Sequence, residues 1–148
     1  MRPFRELRVW DESHQLTLDV YRVTGSFPND ERFALTNQLR RAAYSVPFNI
    51  VEGTSRGDAE CRQFLRIALG SAAELEYGLL LARDLGYLPD AEHESLSARI
   101  TSVKRMLNAF IARLNATIES RTNKPPVPGR QRPMANGQRP GMQEPEAP

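Results

Sequence analysis

Lysine and cysteine are almost missing from this chain of 148 residues. Cys61 is the only cysteine, which excludes an intramolecular disulfide and any zinc site built on several thiolates. It falls on an apolar stripe, where a thiol packs as a small hydrophobe. Lys104 and Lys124 are the only lysines among 20 basic residues. The rest are arginine, whose planar guanidinium suits bidentate contacts to phosphate and carboxylate. The sequence has no Gly-rich phosphate loop, nucleophile elbow or Cys/His pairing. No run approaches the roughly 20 apolar residues of a membrane span, and the segment MRPFRELRVWDESHQ lacks a signal-peptide core. The expectation is a cytoplasmic protein that is not an enzyme, with no cofactor and no membrane partner.

The net charge is +2. Lys124, Arg130, Arg132 and Arg139 against Glu144 and Glu146 account for all of it, so the chain before Lys124 is neutral overall. Any case for nucleic acid therefore rests on local clusters of arginine.

The length suits one domain, and its punctuation marks four helices. The first runs from Val9 or Trp10 to Thr24 and stops at Gly25-Ser26-Phe27-Pro28. The second starts near Asn29 or Asp30 and ends at Gly53, read as the residue just past its end. Asp58 caps a third helix that reaches about Leu85, and Asp90 caps a fourth that reaches about Arg121. Pro47 lies inside the second helix, frees the Ala43 carbonyl of its usual donor and should kink the last turn. Asn49 and Glu52 are near enough in sequence to serve that freed backbone.

Apolar residues recur in steps of three and four: Leu35, Leu39, Ala42, Val46 and Ile50; then Cys61, Leu65, Ala68, Ala72, Leu75, Leu79 and Ala82; then Leu96, Ile100, Val103, Leu107, Phe110, Leu114 and Ile118. A mean step near 3.5 is the seam of helices packed about 20° from antiparallel. No strand alternation competes with it, and the short connections make neighbours antiparallel. The fold class predicted is all-α, an antiparallel up-down-up-down four-helix bundle over residues 1–121. Residues 122–148 hold seven of the 11 prolines and few apolar side chains. They read as a disordered tail, unable to bury enough surface to offset the entropy of ordering. Within it, Pro125-Pro126-Val127-Pro128 has the P-x-x-P spacing that docks on aromatic grooves.

A second line runs outside the seam, through Phe33, Asn37, Arg40, Tyr44 and Phe48 on the second helix and Arg66, Gly70, Ala73, Tyr77 and Leu81 on the third. A helix apolar or small around most of its circumference is expected to be buried on more than one side. Self-association is therefore expected, with Phe33, Tyr44, Phe48, Gly70, Ala73, Tyr77 and Leu81 at the interface; a monomer with scattered surface aromatics is the competing reading.

A carboxylate-bridged metal site needs Glu-x-x-His on two helices and a Glu on each of the others. His14 and His93 instead follow Asp11 and Asp90 at helix starts, where acids serve as caps. Spacing thus argues against a metal. Arginines do cluster: Arg40, Arg41, Arg56, Arg62 and Arg66 around the second and third helices, and Lys104, Arg105 and Arg113 on the fourth. Repeated around an oligomer they would suit a phosphate backbone. Alternatively they pair with Glu52, Glu60, Glu74 or Asp84 within or between subunits.

Three stretches bring a family into view: Phe4-Arg5-Glu6-Leu7-Arg8-Val9-Trp10; Gln38-Leu39-Arg40-Arg41-Ala42-Ala43 with Asn49-Ile50-Val51-Glu52-Gly53; and the run from Phe64 to Glu76, FLRIALGSAAELE. Over residues 4–120 the chain resembles the four-helix bundle family of 23S rRNA intervening-sequence proteins. That family takes in relatives of the accessory variability determinant protein of diversity-generating retroelements. The resemblance implies bacterial bundles that assemble as pentameric rings with basic surfaces and have no known enzymatic activity. In the retroelement branch it implies partners in reverse transcriptase and nucleic acid. Arg40, Arg41 and Arg66 lie within the family motifs. The expected function is a homo-oligomeric, nucleic-acid-associated bundle that prefers RNA to DNA. The alternative is a protein-binding scaffold whose arginines make intersubunit ion pairs.

Overall fold

A computed structural model of the chain describes residues 3–129 together with Gly137 and Gly141. Four helices carry the fold: α1 over Arg8–Thr24, α2 over Leu35–Thr54, α3 over Asp58–Asp84 and α4 over Asp90–Thr122. Consecutive helices pack side by side and α1 closes against α4, so the bundle is the antiparallel one its seams predict. A 3₁₀ turn at Phe4–Glu6 folds onto α1 and α2. Most of the tail lies outside the described residues; Pro125–Gly129 is exposed and carries no helix.

All seven predicted seam positions of α3 are fully buried, as are Leu39, Ala42, Val46 and Ile50 of α2 apart from traces of exposure. On α4 the stripe departs from its prediction after Leu107. Ile111 is buried there, while Phe110 and Ile118 are only half-buried. Five of the seven predicted positions are therefore buried, joined by Ile111, because a step of four rather than three follows Leu107 as a straight helix turns its seam away.

Helix ends hold the other differences. Asn29–Glu31 forms a separate 3₁₀ turn, and α2 begins only at Leu35 because Ala34 leaves the helical region at φ −118° and ψ −105°. The Glu31 carboxylate accepts from the free Leu35 amide at 3.1 Å and so covers the new helix start. Asp58 and Asp90 lie within the first turns of α3 and α4, with Gly57 and Pro89 in the cap positions. There they favour the helix through its dipole rather than by capping.

Gly53 does not end α2 but lies within it, buried. A Cβ at Gly53 would meet Phe64 Cβ at 3.0 Å and the Cys61 carbonyl oxygen at 3.3 Å, so the glycine lets α2 and α3 approach closely. The left-handed glycine is Gly86, at φ 79°. Its amide donates to the Arg83 carbonyl and the next amide, Tyr87, to Ala82, which closes α3 in a Schellman turn.

The helix runs on through Pro47 to Thr54. Neither Asn49 nor Glu52 serves the carbonyl that Pro47 frees. Thr17 of α1 does, its hydroxyl lying 3.1 Å from Ala43 O. Asn49 donates instead to Ser45 O at 2.7 Å, and Glu52 accepts from Arg56.

Candidate nucleic-acid and partner interface

The basic residues singled out in the sequence divide into three kinds once their neighbours are seen. Arg56 and Lys104 are held by carboxylates. Arg56 donates to Glu52 at 2.6 Å and to Glu60 at 3.3 Å, and hydrogen bonding to Glu52 above all raises its pKa above the usual arginine value. Lys104 donates to Glu76 across the α3/α4 seam at 3.3 Å. Arg40 and Arg62 are tied to neutral partners: Arg40 donates to the Thr24 hydroxyl and lies over the Tyr21 ring, and Arg62 donates to Asn115 Oδ1 at 2.9 Å. Among the described residues, Arg41, Arg66, Arg105 and Arg113 make no ion pair. All four are exposed, and Arg113 lies over Phe110.

The eight residues do not share one surface. Arg40 turns toward α1, whereas its neighbour Arg41 lines a polar cleft between α2 and α3 with Gln38, Ser45, Ser71 and Glu74. Ser45 and Ser71 are hydrogen-bonded across that cleft at 2.8 Å, and Gln38 donates to Glu74. Arg113 instead borders the α1/α4 seam, beside Arg8.

The apolar residues expected at an interface are likewise distributed over several faces. Phe48 is 68% exposed and, with Tyr44, lines a groove of about 510 Å³ between α1 and α2. The other wall is Trp10, His14, Thr17 and Tyr21, with Phe4 at one end. Tyr77, 64% exposed, lies on another face of the bundle with Ala73 and Leu80, in a groove of about 470 Å³ shared with α4. Gly70 is exposed, with nothing among the described residues within 4 Å of the place a Cβ would take. Leu81 is half-buried, and Phe33, expected on the second helix, lies outside it in the exposed turn between Glu31 and Leu35, under Arg32. The α1 wall of the larger groove went unnoticed in the sequence, although Trp10, His14 and Tyr21 fall at helical spacing on one face of α1.

Cys61 is fully buried, and burial, with Asp58 adding to it, pushes its thiol pKa up and away from reactivity. Among the described residues no group of three or more His, Cys, Asp or Glu side chains could hold a metal ion. No described helix is long and apolar enough to cross a membrane.

A family model described as 23S rRNA-intervening sequence protein matches residues 5–109. Among solved structures, the chain is similar to a protein of unknown function from the S23 ribosomal protein family of Bacteroides thetaiotaomicron, determined at 1.70 Å. The two share 27% identity at a TM-score of 0.65, over 70% of this chain and 97% of the other. No curated protein matches the chain.

Proposed function

The chain belongs to the 23S rRNA-intervening sequence protein family, and from that premise we propose that it is a non-catalytic, self-associating bundle that binds RNA through unpaired arginines. One observation carries this reading. Arg41, Arg66, Arg105 and Arg113 stand exposed without an acidic partner among the described residues, in a molecule that pairs Arg56, Arg83, Arg99 and Arg121 with carboxylates. An unpaired surface guanidinium is ready to take a phosphate without first breaking a bond. Spread over separate faces, the four need repetition in an assembly to follow one RNA strand, and a ring of five copies is the assembly we assign. The outer line of α3 supplies the contact between copies: Ile67, Tyr77 and Leu80 are exposed there, and Gly70 and Ala73 allow a neighbouring backbone to come near.

RNA binding by the full chain should weaken linearly on a log–log plot against salt, with a slope of about 0.7 per single-strand phosphate. Replacing Arg41, Arg66, Arg105 and Arg113 with alanine should lower that slope by about 3. No retention of structured RNA at low salt overturns the reading. The alternative, a protein-binding scaffold, is favoured by the ion pairs of Arg56 and Lys104, which spend their charge inside the molecule. It expects the four substitutions to change the assembled mass and leave RNA retention alone.

A further inference from the structure

We propose that the aromatic groove between α1 and α2 is the docking site of the chain's own proline-rich segment, residues 125–140, held as an extended polyproline strand. The groove has the form such strands require. On the α1 side Trp10 and His14 stack at 5.1 Å with their planes 7° apart, and Phe4 meets Trp10 edge-on at 5.0 Å. On the α2 side Tyr44 and Phe48 meet edge-on at 5.6 Å, with Pro47 and Val51 between the walls. Proline rings pack into slots between aromatic faces, and the strand presents carbonyls with few amides of its own. It therefore needs donors from its host. The Trp10 indole N–H and the Tyr21 and Tyr44 hydroxyls border the groove, and none of them bonds within the described residues.

The position of the segment fits as well. Helix α4 ends at Thr122, at the end of the bundle where α1 starts and α2 finishes; Arg8 and Arg113 border one cleft there, and Arg121 bonds Asp58 at the start of α3. The segment thus leaves from the same end of the bundle as Phe4 and Trp10, about 14 Å of helix past the level of Arg113. At about 3.1 Å per residue the stretch from Asn123 onward can cross α1 and still lie along the groove. Val127, an apolar side chain, is 81% exposed among the described residues. Charge agrees: Glu6, Asp11 and Glu12 lie beside the α1 wall without an ion pair among the described residues, and the segment carries Arg130, Arg132 and Arg139.

Trp10 is the only tryptophan, so its fluorescence reads the groove directly. The test compares the full chain with a variant carrying Pro125→Ser, Pro126→Ser, Pro128→Ser, Pro133→Ser and Pro140→Ser. The buried core ends at Leu114, so the variant should keep its helical circular dichroism. Acrylamide quenching of Trp10 should rise about twofold in the variant as the strand leaves the rings. A synthetic peptide of residues 123–148 should restore protection saturably. Equal quenching in the two proteins overturns the proposal. So does protection that grows with protein concentration alike in both, because a second copy is then the occupant. Neither outcome bears on the α3 face or on RNA binding, which are read by mass and by salt dependence.

Discussion

The α2/α3 seam and the α1/α4 seam are built on opposite principles. At α2/α3 the backbones themselves come close. Gly53 lies against Phe64 and the Cys61 carbonyl, Gly78 receives the Leu39 side chain, and the rim is closed by the Ser45–Ser71 and Gln38–Glu74 hydrogen bonds. At α1/α4 long side chains bridge the gap: Leu7 and Val9 face Met106 and Phe110 around a cleft of about 220 Å³, and Arg99 pairs with Asp19 farther along. A seam made of close backbones tolerates neither added nor removed volume. One made of flexible side chains yields to both. The polar cleft beside Arg41 is framed by the tight seam.

The contrast can be broken most sharply at Leu39. Leu39→Ala should cost about 2–5 kcal/mol in urea unfolding. Combined with Gly78→Ala, which refills part of the space, it should cost clearly less than the two changes added; strict additivity would mean that Leu39 does not fill the Gly78 notch. Gly78→Ala alone should destabilise by about 1–3 kcal/mol, because the buried Leu39 has no room to withdraw. Thr17→Val should cost about 1–3 kcal/mol by leaving the Ala43 carbonyl without a donor. That loss should shrink when Pro47→Ala restores the helix amide, and an unchanged loss would remove Thr17 from this role. At the looser seam Arg99→Ala should cost less than about 1 kcal/mol, as a partly exposed ion pair does. A loss as large as that of Leu39→Ala would erase the distinction between the seams.

The seams were legible in the sequence wherever one helix sets its own pattern. The α3 stripe, from Cys61 to Ala82, is buried throughout because repeated steps of three and four keep a single face inward. What pairs across helices was not legible. Thr17 and Ala43 are separated by 26 positions, and nothing local in either marks them as partners. Gly53 reads as a helix stop because glycine commonly is one, whereas its use here depends on Phe64 arriving from α3. The basic cluster was visible as composition. Which of its members are engaged was not, since Glu76 reaches Lys104 from another helix. The aromatic groove escaped for the same reason, its two walls lying on α1 and α2.

Gly70 brings the seams back to assembly. Gly70→Ala should stabilise the isolated subunit by about 0.5–1 kcal/mol through helix propensity, because the position is open. The same change should weaken contact between copies if a neighbouring backbone rests there. The most direct measurement is therefore the mass of the full chain by light scattering behind a sizing column, across micromolar concentrations. The account expects a species several times the 16.7 kDa subunit, shifted toward the subunit by Gly70→Ala and Tyr77→Ala. A single species at 16.7 kDa throughout would contradict it.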